Sequence, residues 1–360
     1  MLRIVVLQRR LVRRLCALPE GATVDLQWLS DVAWPRVDRE WIQRFWTNSG
    51  GERQSLLSTI ASANQGPKQE FIAVMREQHA FRHCYAQNGA VRLRKTDRDY
   101  WTQSPVHEAM RRLLLAFDDP WLNKSLGYPV SIQGAPEKLT KELYVRAPRA
   151  RICPYCDGEL QSVEVDHFLP KSAFPFLSVH PDNLIPSCHE SNKGDRKGDK
   201  VPLDWDEADQ ASQWFHPRLR TARNRFTVDF VEKPDRTLGI ELSAIEVADA
   251  KRVENLDGLF RLSEYWGAAI MDDIQTIQRS VVDCLKNETQ PVDAQTVVEK
   301  FELLAHLESA WIGKRARAIY CCELYRFAAA TGAIIEDTLL QLEEDRRRLG
   351  IEPALPPAIN

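Results

Sequence analysis

A mainly α-helical fold with a small α+β module near its middle is predicted by three features of this sequence. Apolar residues recur at helix spacing in both flanks, Gly and Pro cluster between Leu126 and Arg151, and alternating, loop-rich sequence fills residues 152 to about 242. A chain of 360 residues is long enough for two or three domains with a sizeable core and needs no disulfide staples. The expected division is a helical N-terminal region over 1–145, the module over 146–235 and a helical C-terminal region over 236–360.

In the N-terminal region Phe71, Val74 and Met75 recur at helix spacing, and Ser104 before Pro105 starts a helix that carries Met110, Leu113, Leu114 and Phe117. Gly127, Pro129, Gly134, Pro136 and Pro148 then break helices and suit a connector at a domain edge. Within the module Val163 and Val165 alternate as in a strand, and a Pro- and Ser-rich loop runs from Pro170 to Pro181. Short β-like runs follow at Phe226 to Val231 and Ile240 to Leu242. Beyond Glu246 the helical period returns, with Val297, Phe301, Leu304, Leu307 and Trp311 as a stripe fit to bury against neighbouring helices. The last helix is expected to end near Gly350, after Arg346 to Arg348, and Pro353, Pro356 and Pro357 make a tail.

Lys and Arg number 48 against 51 Asp and Glu, a net charge of −3, which excludes a basic whole-protein field coating nucleic acid. Any nucleic-acid contact must be a local patch. No apolar run approaches the roughly 18 residues of a membrane span, and Ile4 to Leu7 is too short for a signal-peptide core, so a cytoplasmic protein with no membrane partner is expected. In that reducing compartment the eight cysteines read as thiols or metal ligands.

Their spacing leads to one constellation. It runs Cys153-Pro-Tyr-Cys156, then Val165-Asp166-His167-Phe168-Leu169-Pro170-Lys171-Ser172, then Asn183-Leu184-Ile185-Pro186-Ser187-Cys188, then Asn192-Lys193-Gly194. Over roughly residues 150 to 200 this resembles the HNH endonuclease family, whose ββα-metal core is a β-hairpin and helix clasping one divalent ion. The resemblance implies an HNH core set between the two helical regions, and metal-dependent hydrolysis of phosphodiester bonds, with DNA as the substrate.

That chemistry needs a deprotonated water aimed at phosphorus and stabilisation of charge on the phosphate and the departing oxygen. His167, of a residue type that titrates near neutrality, is the candidate general base. Asp166 and the amide oxygen of Asn192 are hard ligands that suit Mg²⁺ or Mn²⁺. By resemblance, Asn192 sits on the helix and Asn183 braces the loop that presents His167. Adjacent strand residues point to opposite faces, so the strand is expected to end at Asp166 and His167, letting His167 approach the phosphate from the side opposite the metal.

Many HNH proteins also carry two Cys-x-x-Cys pairs that hold a structural zinc through four tetrahedral ligands. Here Cys153 and Cys156 form an intact pair, whereas Cys188 is followed three residues later by Ser191, a poor zinc ligand. Either a histidine substitutes or the zinc is lost. His189 is nearest, although on a helix it points about 100° from Cys188; His180 and His216 are the alternatives from loops. Without zinc the thiols would pack as small apolar groups.

Cys16, Cys84, Cys284, Cys321 and Cys322 lack ligand spacing and read as core or near-core residues, and His79, His83, His107 and His306 read as packing residues. Basic clusters surround the motif: Arg146, Arg149 and Arg151; Lys193, Arg196, Lys197 and Lys200; Arg218, Arg220, Arg223 and Arg225. Lys171, Lys193, Arg196 and Lys197 are the expected phosphate contacts, although Asp195, Asp199, Asp204 and Asp206 lie close by. Trp205, Trp214 and Phe215 are expected to pack rather than stack on bases. The helical flanks carry no DNA-reading motif, which points to docking on a partner or on a second copy. The arrangement is similar to HNH subunits encoded beside ATPases in anti-phage systems such as Septu and certain retrons. The competing readings are a noncatalytic zinc-ribbon binding module and a stand-alone restriction-type nuclease.

Overall fold

The computed structural model describes residues 2–32, 36–85, 91–118, 127–132, 135–139, 143–144, 151–160, 163–234, 237–312 and 317–351, with backbone alone at 36–38, 129–132 and 135–139. The described residues are mainly helical, with three small two-stranded antiparallel sheets. By packing, the chain divides into one compact unit of residues 1–150 and 160–221 and a second of 151–159 and 222–360. The N-terminal helices and the motif hairpin therefore share a unit, in place of the consecutive segments expected at 1–145 and 146–235.

The first unit opens with α1 (Leu2–Cys16), α2 (Leu26–Val32), α3 (Arg36–Thr47), α4 (Glu52–Ser62), α5 (Gln65–His79), α6 (Phe81–Cys84), α7 (Arg98–Thr102) and α8 (Pro105–Leu115). In α5 the Asn64 side chain caps Gly66 N at 3.2 Å, and Phe71, Val74 and Met75 are buried as their spacing predicts. Helix α8 starts at Pro105 as expected, but the Ser104 hydroxyl pairs with His107 Nδ1 at 2.8 Å instead of capping a backbone N–H. His107 is buried edge-on against Phe71, a packing histidine. Met110, Leu113 and Leu114 of α8 and the following Phe117 fill the core beside Trp41 and Phe45.

The expected connector is partly a hairpin, β1 (Tyr128–Ile132) pairing antiparallel with β2 (Ala135–Leu139). Pro129 and Pro136 are tolerated there because each strand has a single neighbour and one edge that needs no N–H. Gly134, Arg146, Pro148 and Arg149 lie outside the described residues, as do Pro353, Pro356 and Pro357.

The motif hairpin is β3 (Val163–His167) with β4 (Leu184–Cys188), in a register that sets Val163 opposite Cys188 and His167 opposite Leu184. The loop from 168 to 183 is no surface excursion. A 3₁₀ turn over Pro175–Leu177 packs against α5 and α8, and Phe174, Phe176, Leu177 and Val179 are buried. One helical turn, α9 (His189–Asn192), follows β4.

The second unit holds β5 (Phe226–Glu232) and β6 (Leu238–Ala244), then α10 (Ala250–Phe260), α11 (Leu262–Gly267), α12 (Ile270–Leu285), α13 (Ala294–Ser309), α14 (Ala318–Ala330) and α15 (Gly332–Arg348). Helix α13 packs along α14 through Val297, Phe301 and Ala305. Its stripe does not bury throughout: Leu307 and Trp311 are each 51% exposed, because the i, i+4 row through Ala305 carries the contact and Leu307 turns away from it. Cys284 is likewise exposed rather than in the core, whereas Cys16, Cys84 and Cys322 are buried. No single helix among the described residues is long and apolar enough to cross a membrane.

Candidate functional site

His167 ends β3, and its ring is fixed by the buried loop and by α8. Its Nε2 lies 2.9 Å from the Ser178 carbonyl oxygen and 3.5 Å from Asp118 Oδ1. A carbonyl can only accept, so Nε2 carries a proton, and whenever the ring is neutral Nδ1 is its acceptor nitrogen. Ser178 is itself held, since its hydroxyl donates to the Leu114 carbonyl near the end of α8 at 3.3 Å. Asp118 follows that helix, is 1% exposed, and accepts from Lys171 Nζ at 2.5 Å. Burial alone would push the Asp118 carboxyl up, but the His167 hydrogen bond and the charges of His167 and Lys171 outweigh it and hold the group below its usual range. His167 therefore faces an ionised and almost fully buried carboxylate.

Asn183 braces this loop. Fully buried, it accepts from Leu169 N at 2.7 Å and donates to the carbonyls of Leu169 at 3.0 Å and Leu177 at 3.2 Å. It touches backbone only, so its role in the site is positioning.

The other face of β3 carries Glu164 and Asp166, two residues apart. Glu164 receives Asn192 Nδ2 at 2.7 Å and pairs with His189 Nδ1 at 2.7 Å, which fixes α9 against the strand and leaves Asn192 Oδ1 as an acceptor. Asp166 is 6% exposed, with Lys197 Nζ 3.7 Å from its Oδ2. As expected, the strand ends at this pair: His167 is the last residue of β3, with Asp166 still paired to Ile185 and His167 to Leu184. His167 and the Asp166 side chain thus leave the strand on opposite faces.

Lys197, expected on the phosphate-contacting surface, is fully buried, and its ammonium donates to the carbonyls of His167 at 3.3 Å and Gly198 at 3.2 Å. Burial pushes this ammonium below its usual range, and the charge of Asp166 opposes that. Lys193 is exposed beside Glu190 at 2.6 Å, Arg196 is half-buried, and Lys171 stays 42% exposed while bound to Asp118. The third basic cluster is structural in part. Arg218 donates to the Pro181 carbonyl at 2.5 Å, Arg220 to the Ser212 carbonyl at 3.3 Å, and Arg225 pairs with Asp249 at 3.4 Å. Trp205 stacks on Phe174 and Trp214 donates to Asp204, both packing roles.

Cys153 and Cys156 sit in a tight turn closed by Cys153 N to the Gly158 carbonyl at 2.7 Å, with Asp157 at a positive φ of 54°. Cys188, at the end of β4, accepts from Ser191 N at 3.4 Å and lies 3.3 Å from the Ser191 hydroxyl. Cys153 and Cys156 belong to the second unit and Cys188 to the first, and thiols of this kind are able to bind a metal such as zinc. The three histidines weighed as a fourth ligand are each engaged elsewhere. His189 is held by Glu164 and mostly exposed, His180 packs edge-on against Phe81, and His216 is buried against Phe168 with Nδ1 accepting from Arg218 N.

Sequence reasoning missed Asp118, Ser178 and Glu164. Only Glu164 had a signal, the Val163-Glu164-Val165-Asp166 alternation that puts both acids on one strand face.

Compared with known proteins, the chain is 40% identical over 67 residues to Protein ea31 of Escherichia phage lambda, covering 19% of this chain and 21% of that protein. It is 44% identical over 57 residues to Septu protein PtuB of Bacillus thuringiensis, covering 14% of this chain and 22% of that protein. The matches thus span about a fifth of the length of these curated relatives. No protein-family model and no solved structure matches the chain. The likeness is partial and local, and it includes a Septu protein.

Proposed function

We propose that this protein is a metal-dependent endonuclease of the HNH type that hydrolyses phosphodiester bonds of DNA, with His167 as general base. The observation that carries the reading is the His167 imidazole, oriented by the Ser178 carbonyl so that Nδ1 is the basic nitrogen and set beside the buried carboxylate of Asp118. When Nδ1 takes a proton from water, the ring becomes an imidazolium and Asp118 stabilises the new charge, while the resulting hydroxide attacks phosphorus, the P–O bond to the departing sugar oxygen breaks and that oxygen takes a proton from solvent water. Asn183 holds the loop that supplies Ser178.

On the opposite face Asp166 and Asn192 Oδ1 are hard oxygen donors near a second carboxylate, Glu164, and this donor set fits Mg²⁺ or Mn²⁺. Bound there, the ion would supply charge stabilisation at the phosphate. The Cys153 and Cys156 pair, with Cys188, suits a separate structural zinc by donor type and spacing, since thiolates are soft donors.

The local identity to Septu protein PtuB supports a role in anti-phage defence, with this chain as a nuclease subunit and an ATPase partner supplying activation or targeting. A cleavage assay on plasmid and linear DNA with Mg²⁺ or Mn²⁺ tests the reading: wild type cleaves, and chelator stops it. Absence of cleavage with either metal, alone and with a Septu-type ATPase, would favour a noncatalytic zinc-ribbon module; efficient cleavage at one defined sequence without a partner would favour a restriction-type enzyme.

A further inference from the structure

The basic clusters near the motif are partly absorbed by internal contacts, and among the described residues a row of uncompensated charge lies elsewhere. Helix α1 carries Arg9, Arg10, Arg13 and Arg14, and no Asp or Glu occurs before Glu20. At 100° per residue these arginines fall within an arc of about 140°, and the opposite face, with Ile4, Leu7, Leu11 and Leu15, is buried in the core. Arg13 and Arg14 are exposed, and Arg9 and Arg10 are half-exposed.

Arg9 with Arg13, and Arg10 with Arg14, are like charges one turn apart, an arrangement that costs an isolated helix stability. Burial and then the charge of Arg13 hold the Arg9 guanidinium below its usual range. Among the described residues no carboxylate pairs with Arg9, Arg10, Arg13 or Arg14. On α4 and α5, which pack against α1, the acids are committed elsewhere, Glu52 to Arg112 at 2.5 Å, Glu77 to Arg94 at 2.8 Å and Glu70 to Arg94 at 3.7 Å, and Asp31 of α2 accepts from Gln27 at 3.2 Å. Arg76 of α5 adds a further exposed cation.

The position of this face is informative. Arg9 is close enough to His79 and His180 to disfavour a charge on either ring. His180 belongs to the same buried loop as Ser178, whose carbonyl orients His167. The arginine face therefore adjoins the loop of the candidate site, within one packed unit.

We infer that the Arg9, Arg10, Arg13 and Arg14 face of α1 binds the phosphate backbone of the nucleic acid presented to His167, an inference that rests on the nuclease reading. Several uncompensated guanidinium groups in a row suit a polyanion with regularly spaced phosphates and carry no base-reading geometry, so the contact is independent of sequence. A lipid surface fits poorly, because the apolar face of α1 is spent in the core and only Leu2 and Val6 turn outward with it.

The test compares the full chain with the variants R10Q/R13Q/R14Q and R10K/R13K/R14K on a 30-base-pair mixed-sequence DNA duplex, by fluorescence anisotropy over a salt series, with circular dichroism to verify folding. The glutamine variant should bind at least tenfold more weakly near 0.1 M salt and lose about 2 to 3 from the log–log salt slope, at roughly 0.9 per phosphate released. The lysine variant keeps the charge and should keep most of the slope. Equal affinity and slope for wild type and the glutamine variant would overturn the inference, and so would a wild type that binds anionic vesicles but not the duplex. If the glutamine variant does not fold, loss of the slope on adding free polyphosphate to the wild type supports the surface only when R10K/R13K/R14K behaves alike; a lysine variant with a strongly reduced slope overturns it. Cleavage separates the two claims: H167A should bind as wild type and fail to cleave, cleavage by H167A at the wild-type rate would remove only His167 from the chemistry, and a wild type that binds the duplex but does not cleave DNA would refute the nuclease reading without touching the arginine face.

Discussion

His167 Nε2 stands 3.5 Å from Asp118 Oδ1, on a chain position 49 residues away, and shares its proton direction with the Ser178 carbonyl at 2.9 Å. The two acceptors do different things. The carbonyl sets the tautomer, and the carboxylate offers charge to an imidazolium. Asp118→Asn keeps shape and an acceptor oxygen but removes the charge, so cleavage should fall by about 10- to 100-fold with DNA affinity unchanged, a fraction of the range for general acid–base catalysis. Steady-state cleavage and binding measured together check this; an unchanged rate would remove Asp118 from the site.

Asn183→Ala removes three buried hydrogen bonds and strands backbone groups of Leu169 and Leu177. A loss of about 2–4 kcal/mol in stability is expected, read from the denaturant midpoint, and cleavage should fall with it because Ser178 loses its fixed place.

Lys197→Met separates a buried structural lysine from a phosphate contact. It leaves Asp166 without its ammonium neighbour in a site where both side chains are almost fully buried, so destabilisation of about 3–5 kcal/mol is expected. The salt slope of DNA binding should not change. A stable variant with a reduced slope would restore the surface role expected from sequence.

How far this was legible in the sequence differs by element. The buried faces of α5 and α8 follow from helical periodicity, and β3 from the Val163 and Val165 alternation. The loop from Pro170 to Pro181 reads as surface by composition, yet Phe174, Phe176 and Leu177 make it part of the core. Lys197 sits in a basic run that reads as solvated. Asp118 carries no local signal, because only the folding of α8 onto the loop brings it to His167. The Cys153, Cys156 and Cys188 grouping was legible from spacing, but the rejection of His189 depends on Glu164 taking its ring.

Acid should unfold the first unit through its buried histidines. Burial, aided by Arg9, pushes His79 down to about 3; burial pushes His180 down to about 4 and His216 to about 3. Folded values below the unfolded value of about 6.5 mean that the unfolded chain binds more protons in between. Their contribution is thus fully present above about pH 6.5 and lost as pH falls toward 4 and 3. Near pH 5 the slope should approach roughly 4 kcal/mol per pH unit if all three contribute. Chemical denaturation at several pH values measures it, and His79→Phe should flatten it by about a third.

For the cysteine cluster, purified protein should carry about one zinc per chain, as a structural site requires. Cys156→Ser should release it and lower the Tm, whereas His189→Ala should retain it, because His189 is held by Glu164. Zinc loss in His189→Ala would contradict the geometry.

The central claim is that His167 performs the chemistry. DNA cleavage by His167→Ala in Mg²⁺ or Mn²⁺, beside its DNA affinity and melting temperature, tests it most directly. Abolished cleavage with affinity and folding close to wild type is the predicted result; cleavage at the wild-type rate would contradict it.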